Sequence, residues 1–306
     1  MATNVKIQKN SDHGLLSFSR ELTSQMKEIG KDRTAERYSI TLNSFTRFRK
    51  ERDIPLEEVN SALMVEYEMY LRATGVCPNT SSFYLRNLRA IYNRAVEDGL
   101  TVQQYPFKHV YTGIDRTVKR GVTVDIVRRI RDLDLTDRPD LDLARDIFMF
   151  SFYTRGMSFI DMVFLKKKDL QYGVLTYRRR KTNQLLIIKW EKPMQAIIDK
   201  YNTSGTPYLL PIIRTNEVDE RRQYVNYAHL INNKLKKIGK LVGLSIPLTT
   251  YVARHGWASI AKSKNISIAT ISEAMGHDSE YTTRIYLASL DTSVIDKANQ
   301  QIIKSI

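Results

Sequence analysis

Apolar residues recur at helical spacing through most of the first hundred residues, and this periodicity restricts the fold more than any other feature. Segments such as LLSFSRELTSQMKEIG and TAERYSITLNSFTRFRKERD place large apolar side chains three or four positions apart, as a helix with one buried face does. Two further segments of this kind end at Gly75 and Gly99, and glycine commonly follows a helix end. Residues 1–106 are therefore predicted to form a small all-helical bundle.

The pattern breaks up after Pro106, where Gly113 and Gly121 lie among basic residues, and we expect a linker over 107–122. Beyond it, the very apolar stretch DLARDIFMFSFYTRGMSFIDMVFLKKKDL predicts a buried helix pair. The β-branched and aromatic residues of YGVLTYRRRKTNQLLIIKW predict a hairpin. From about residue 192 the pattern is helical again. The predicted fold class is mostly α (α+β), with a second domain over 123–306 that contains a small sheet.

An excess of cationic side chains indicates a polyanionic partner. The 306 residues include 48 Lys and Arg against 33 Asp and Glu, a net charge of +15, and each phosphate neutralised by a cation releases condensed counterions. An anionic membrane surface is the alternative, but the sequence has neither a basic amphipathic helix with a Trp/Phe face nor an apolar run of ~20 residues. The predicted partner is a nucleic acid, no membrane association is expected, and the absence of a signal-peptide core predicts a cytoplasmic protein.

Several basic residues of the first domain are candidates for DNA contacts. They lie on the polar faces of the predicted helices, where solvated surface is the alternative for any single residue. The candidates are Arg47, Arg49, Lys50, Arg86, Arg89 and Arg94. The single cysteine, Cys77, has no second thiol and no Cys/His cluster near it. A disulfide framework and a zinc site are therefore excluded, and neither a metal nor a cofactor is predicted.

Four short stretches of the second half carry a family resemblance. They are TRGMSF at 154–159, RRRKT at 178–182, TTYVARHGWAS at 249–259, and MGH at 275–277 with Tyr286 nine residues after its histidine. In this order they resemble the catalytic domain of the tyrosine recombinases, or phage-type integrases. That family's signature is a first arginine, a hairpin lysine, His-x-x-Arg, Leu-Gly-His and a terminal tyrosine. The helical first domain is similar to the family's core-binding, SAM-like domain.

The resemblance implies a site-specific recombinase that cuts and rejoins double-stranded DNA through a 3′-phosphotyrosyl intermediate and a Holliday junction, with no ATP, metal or cofactor. Tyr286 would be the nucleophile. Because a phosphodiester is shielded by its charge and a tyrosine of pKa near 10 is weakly nucleophilic, cations must surround the phosphate. Arg254 would bind the non-bridging oxygens bidentately, and His277 would donate to the phosphate. Lys181, at the hairpin tip, would protonate the leaving 5′ oxygen, with Lys189 as its weaker rival.

The sequence departs from the family pattern at two positions. Tyr251 stands where the family has the histidine of His-x-x-Arg; its phenol can donate to a phosphate oxygen but cannot accept a proton near pH 7. Ser158 stands where the first arginine is expected. Arg155 could replace that arginine across one helical turn if this stretch is helical, and Arg179 could do so from a strand, on the face that carries Lys181. Of the two, Arg155 is preferred.

Three further residues of these segments have predicted roles. Asp161 is expected to buttress an arginine, and His255 to pack in the protein interior. Arg180, with Arg179, is counted among the DNA contacts. The TRGMSF form looks like a subfamily found in bacterial mobile elements and invertible DNA segments, so we interpret the chain as an active variant and not as a dead enzyme. The resemblance implies a nucleoid-associated bacterial enzyme of integrase or invertase type.

The sequence is also compatible with other functions. A type IB topoisomerase uses the same chemistry, and a DNA-binding regulator that has lost catalysis would fit Ser158 and Tyr251. A metal-dependent nuclease would need clustered carboxylates, which the sequence lacks. A recombinase would act as a homo-tetramer, and a last helix could dock into a neighbouring subunit or pack on its own domain. Its apolar positions are Val294, Ile295, Ala298, Ile302 and Ile303. The short N-terminal segment leaves little room for an arm-binding domain, which predicts short target sites.

Overall fold

The structure is a computed structural model that describes residues 14–115, 122–215, 217–287 and 299–305, with the backbone alone for Ile285 and Tyr286. The chain divides into two compact units, Met1–Thr117 and Val118–Ile306. Each unit has its own apolar core. The prediction of a mostly helical chain with one small sheet is confirmed.

Over the described residues 14–115, the first unit is a bundle of four α-helices, as the periodicity predicts. They are α1 (Leu15–Glu28), α2 (Asp32–Phe48), α3 (Ser61–Ala73) and α4 (Pro78–Glu97). The Asn60 side chain accepts from the N–H of Leu63 and caps α3, and Pro78 begins α4, where a missing N–H costs no hydrogen bond. Gly99 follows α4 with a φ of +73°, a conformation that glycine adopts without strain.

The core of the first unit extends past the predicted end of the domain. Large aromatic side chains such as Phe45, Tyr67 and Tyr92 are completely buried in it. Phe107 and Val110 belong to the same cluster, although both lie in the segment 107–122 that we predict as a linker. Residues 107–110 thus pack with the first domain, because their apolar side chains close its core.

The second unit consists of a sheet and of helices that pack around one buried central helix. Its helices are α5 (Val124–Arg131), α6 (Pro139–Tyr153), α7 (Phe159–Val163), α8 (Lys192–Asp199), α9 (Glu220–Leu241), α10 (Thr250–Ser263), α11 (Ile268–Ala274) and α12 (Glu280–Leu287). Ile147, Phe148 and Phe150 of α6 are fully buried. The apolar stretch that predicts a buried helix pair forms α6 and the short α7.

The sheet has three antiparallel strands in the order β1 (Leu170–Gln171), β2 (Val174–Arg178), β3 (Leu185–Lys189). Strands β2 and β3 form the predicted hairpin, whose last pair joins Arg178 to Leu185. Alternate side chains of both strands face the core, the period-2 pattern of a half-buried sheet. Six residues, 179–184, therefore form the hairpin loop.

The segment after residue 192 is less helical than predicted. Between α8 and α9 the described residues form turns and irregular backbone, in a stretch that contains Pro207 and Pro211. The buried Gln223 side chain holds this segment by donating to the carbonyl oxygens of Thr215 and Val218. None of the helices among the described residues has the length and apolar character needed to cross a membrane.

Candidate active site

Arg254 lies at the centre of the predicted site and is 5% exposed. From α10, its Nη1 donates to the carbonyl oxygen of Gly156 and its Nη2 to that of Met275, each at 2.7 Å. The same Nη2 is 3.0 Å from Nε2 of His277. The guanidinium is thus fixed by the turn after α6 and by the end of α11, which removes much of its rotamer freedom before any ligand binds.

The turn after α6 depends on glycine at position 156. Gly156 has a φ of +71°, and a Cβ there would lie 2.9 Å from Cα of Arg254. Its N–H and that of Met157 both donate to the carbonyl oxygen of Ser151. Only a residue without a side chain lets this turn lie so close to α10. The signal in the sequence is the glycine of TRGMSF, whose packing role the sequence alone did not reveal.

Arg155 does not lie on a helix, although its predicted role as the first arginine required a helix at this point. Helix α6 ends at Tyr153, and Arg155 has a φ of +63°, so it cannot reach across a helical turn as proposed from the sequence. Its Nη1 donates to the carbonyl oxygen of Ile187 on β3 at 3.2 Å. The structure therefore directs the Arg155 guanidinium to the outer hairpin strand.

Arg179 is buried at the start of the hairpin loop, with 7% of the residue exposed. Its Nη1 donates to the carbonyl oxygen of Gly276, and its buried Nε has no hydrogen-bond partner among the described residues. A Cβ on Gly276 would lie 3.1 Å from Cδ of Arg179. Glycine at position 276 thus allows the loop to pack against the turn that carries His277. Lys181, two residues later, is exposed at the hairpin tip.

Asp161 holds the hairpin loop through the main chain. Its Oδ1 accepts from the N–H of Arg180 at 2.8 Å, and its Oδ2 accepts from Oγ of Ser158 at 2.5 Å. Asp161 was predicted to support an arginine, and it does so for Arg180 through the backbone N–H of that residue. The Arg180 guanidinium lies over the ring of Phe164, with Cζ 4.0 Å from the centroid, a cation–π arrangement.

His277 follows the left-handed Gly276 at the end of α11. The N–H groups of Gly276 and His277 bond back to the carbonyl oxygens of Glu273 and Ser272, the glycine-ended helix terminus that the sequence predicts. The imidazole is 9% exposed. Its Nδ1 is 2.7 Å from Oγ1 of Thr283, a contact that sequence reasoning missed although Thr283 lies one helical turn before Tyr286.

Burial and neighbouring cations keep the imidazole neutral. Burial, followed by the charges of Arg254, Arg179 and Lys181, lowers the pKa of His277 to about 4. Because a guanidinium can only donate, Nε2 accepts from Arg254 and the ring proton lies on Nδ1. The predicted donation from His277 to a phosphate would require the opposite tautomer.

The backbone of Tyr286 lies in the last turn of α12, and its side chain is outside the described residues. On the same helix, Arg284 pairs with Glu280 at 3.5 Å, and Tyr281 is exposed. Tyr251, in the first turn of α10, is also exposed. Its ring packs edge-on against His255, with centroids 4.5 Å apart, and His255 is buried as predicted.

The candidate DNA contacts of the first unit lie near the end of α2 and along α4. Arg47, Lys50 and Arg89 are exposed, whereas Arg49 and Arg86 are partly buried. Arg89 donates to Oγ1 of Thr112 at 3.1 Å. Arg86 and Arg89 are three residues apart and therefore lie on one side of α4.

Comparison with known proteins matches each unit to a family model. The model described as the phage integrase SAM-like domain matches residues 14–110, and the model described as the phage integrase family matches residues 148–293. The chain belongs to the phage integrase family, the tyrosine recombinases. Members of this family are site-specific recombinases that cleave and rejoin DNA, so this chain belongs to that class of enzyme.

Relatives among tyrosine recombinases come from archaea and bacteria. The chain is 25% identical to the tyrosine recombinase XerA of Pyrococcus furiosus over 226 residues, 71% of this chain and 72% of that protein. It is 24% identical to the tyrosine recombinase XerC of Lactobacillus delbrueckii subsp. bulgaricus over 233 residues, 72% of this chain and 76% of that protein. The match to XerA of Saccharolobus solfataricus, 26% identical, covers only 40% of this chain and 38% of that protein.

Solved structures of integrases share the fold of this recombinase. A lambda integrase tetramer bound to a Holliday junction superposes with a TM-score of 0.69 at 16% identity, over 90% of this chain and 77% of that one. The Tn1549 transposon integrase in complex with circular-intermediate DNA superposes with a TM-score of 0.65 at 15% identity, over 95% and 99%.

Proposed function

We propose that Tyr286 attacks a phosphodiester of duplex DNA to form a 3′-phosphotyrosyl link, which a DNA 5′ hydroxyl later reverses. Arg254, Arg179 and His277 lie close together beside α12, the helix whose last turn contains Tyr286, and this arrangement is the main support for the proposal. Two fixed guanidinium groups suit the two non-bridging oxygens of a phosphate. They can stabilise the charge that develops in the transition state without reorganising.

We assign the second guanidinium to Arg179 in place of the family's first arginine. Arg179 bonds to the residue before His277 and retains an unpartnered buried Nε among the described residues. Its charge is also one of those that lower the pKa of His277. Arg155 instead donates to the backbone of β3. This assignment replaces the preference for Arg155, because the helix which that preference required is absent at Arg155.

Lys181 is the proposed acid for the leaving 5′ oxygen. It is exposed on a loop whose backbone is anchored one residue earlier by Asp161. An ammonium group can serve as a general acid, whereas a guanidinium stays charged at any working pH and gives up no proton. Tyr251, exposed at the start of α10, is proposed to donate its hydroxyl to the same phosphate.

Basic residues of both units suit a DNA duplex. The net charge of +15 and the basic residues of α2 and α4 support binding to the phosphate backbone. We propose a homo-tetramer on short recombination sites in the bacterial cytoplasm, at the nucleoid. Of the predicted apolar docking positions, Ile302 and Ile303 are more than 60% exposed, whereas Val294, Ile295 and Ala298 lie outside the described residues.

Covalent capture tests the proposed chemistry. Nicked fragments of the source organism's genomic DNA would be incubated with the protein, and SDS-resistant adducts would be isolated and sequenced. We expect adducts at a small set of related sites with the wild-type protein. The Tyr286→Phe variant should bind DNA with similar affinity but form no adduct, because only the hydroxyl oxygen makes the bond.

Two results would contradict the proposal or favour a rival. An adduct with Tyr286→Phe would mean that another residue is the nucleophile. No adduct with the wild-type protein, despite DNA binding, would favour a regulator that has lost catalysis. A type IB topoisomerase would relax supercoiled plasmids without any captured site, whereas a recombinase should exchange strands only between plasmids that carry one.

A further inference from the structure

Thr283 joins the helix that carries Tyr286 to the imidazole of His277. Its Oγ1 is 2.7 Å from Nδ1 of His277, and the threonine is fully buried. Thr283 lies on α12, one helical turn before Tyr286. The contact therefore spans the turn between α11 and α12 and reaches the residue that lies against Arg254.

The two ring nitrogens of His277 have different partners, and one accepts a hydrogen bond while the other donates one. Nε2 faces Nη2 of Arg254 at 3.0 Å, and because a guanidinium only donates, Nε2 must accept. In a neutral imidazole the proton then lies on Nδ1, from which it is donated to the Thr283 hydroxyl. Cations approach the ring from two elements, Arg254 from α10 and Arg179 and Lys181 from the hairpin loop. These charges and burial lower the pKa of His277 to about 4.

Apolar contacts dock α12 independently of this hydrogen bond. Leu287 is buried in a small cluster formed by α10, α11 and α12, whose other members are Ala258, Ala261, Ile271 and Met275. The carbonyl oxygen of Leu287 also accepts from Nζ of Lys262 at 3.4 Å. Removal of one hydroxyl from Thr283 should therefore leave the helix in place, so that the polar contact can be tested separately.

We propose that Thr283 is a positioning residue for strand cleavage, which fixes the His277 tautomer that orients Arg254 only while the Tyr286 helix is docked. By accepting from Nδ1, the threonine keeps the Nε2 lone pair directed at the guanidinium. The docking of α12 and the orientation of the Arg254 guanidinium are then coupled through the imidazole of His277. This role rests on the proposed function.

The first test removes the hydroxyl at constant side-chain size. Thr283→Val should slow covalent cleavage of a captured site by about 10- to 100-fold, the effect of one lost buried hydrogen bond, with DNA affinity within about twofold. Thr283→Ser, which keeps the hydroxyl, should recover most of the rate. Thr282→Val makes the same change at the exposed neighbouring position and should cleave like the wild type. Wild-type cleavage by Thr283→Val would overturn the proposal.

A double-mutant cycle separates positioning from helix stability. If Thr283 acts through the imidazole, Thr283→Val should cost less than about twofold in a His277→Ala background, because coupled residues are not additive. An equal loss of rate in both backgrounds would mean that Thr283 only stabilises α12, and would overturn the proposal.

The third test needs no DNA and keeps this proposal separate from the proposed function. In ¹⁵N-histidine-labelled protein near pH 7, Nδ1 of His277 should have the chemical shift of a protonated ring nitrogen, and Nε2 that of an unprotonated one. Thr283→Val should shift both toward a tautomer mixture, and His277→Gln assigns the signals. A wild-type ring protonated at Nε2 would overturn this proposal even if the protein cleaves DNA. If the wild-type protein forms no adduct, the proposed function fails, and with it the role of Thr283 in cleavage.

Discussion

Arg179 donates a hydrogen bond to the carbonyl oxygen of Gly276, the residue directly before His277. This bond joins residues 97 positions apart and places a buried cation next to the imidazole. Arg155, the other candidate for the missing first arginine, donates to the carbonyl oxygen of Ile187 on β3. The two arginines therefore have different surroundings and should respond differently to mutation.

Arg179→Ala should slow covalent cleavage by about 10² or more, the usual effect of removing one preorganised donor to a charged transition state. Arg155→Ala should cost much less, because its guanidinium is bound to a strand carbonyl. DNA affinity should change little in both variants, since a single phosphate contact contributes a small part of binding. Cleavage rates on one captured site, measured in single-turnover conditions, would compare the two.

The reverse order would identify Arg155 as the phosphate ligand. Ser158→Arg provides a further check in the Arg179→Ala background. It restores the arginine of the family pattern, and recovery of cleavage would mean that positions 158 and 179 serve the same phosphate.

Protonation of His277 should weaken the fold as the pH falls. Burial and the neighbouring cations lower the pKa of His277 in the folded protein to about 4, against 6.5 for an ordinary exposed histidine, so the unfolded chain binds more protons between these values. The stability from the neutral ring is fully present above about pH 6.5 and is lost as the pH falls toward 4, by up to roughly 3 kcal/mol. Chemical denaturation of the wild type and His277→Gln from pH 4 to 7 would measure it. Parallel pH curves for the two proteins would contradict a depressed pKa.

Local patterns in the sequence predicted the elements of this fold, and the family motifs predicted the candidates Arg254, His277 and Tyr286. What they could not predict depends on contacts between distant segments. The left-handed φ of Arg155 follows from the packing of Gly156 on α10, and the burial of Arg179 follows from a bond to the distant Gly276. Neither feature produces a periodic pattern in the neighbouring sequence from which it could be predicted. Likewise, the end of the first domain depends on two side chains, Phe107 and Val110, that pack in a core formed far earlier in the chain.

Gly156→Ala should damage the site through both strain and collision. Gly156 and Gly173 have nearly the same φ, +71° and +72°, but only at Gly156 would a Cβ meet other atoms, with Cα of Arg254 at 2.9 Å. Gly173→Ala should therefore lose about 1 kcal/mol of unfolding free energy from backbone strain and keep its cleavage rate. Gly156→Ala should lose more stability and displace Arg254, with a fall in cleavage of at least about tenfold. Equal effects of the two substitutions would mean that the close approach is unimportant.

Asp161→Ala should release the hairpin loop, because its carboxylate holds the N–H of Arg180. We expect faster amide hydrogen exchange across 179–184 and a cleavage rate lower by about 10- to 100-fold, as the cations on this loop lose their fixed positions. Asp169→Ala is the matched control, since its Oδ2 accepts from the N–H of Lys166 outside the loop. Unchanged exchange in 179–184 with Asp161→Ala would show that the strands alone hold the loop.

Lys181→Ala should lose about 10²- to 10⁴-fold in cleavage of ordinary DNA, the usual contribution of a general acid. The loss should largely disappear on DNA in which sulfur replaces the bridging 5′ oxygen at the captured site, because a thiolate leaves without a proton. Arg254→Ala should stay slow on both substrates, since it binds non-bridging oxygens. In the wild-type protein, Nζ of Lys189 lies 3.8 Å from the carboxylate of Glu191. The Lys189→Ala variant should therefore cleave both substrates as the wild type does. If sulfur rescued Lys189→Ala and not Lys181→Ala, the acid would be the lysine on β3 and not the one at the hairpin tip.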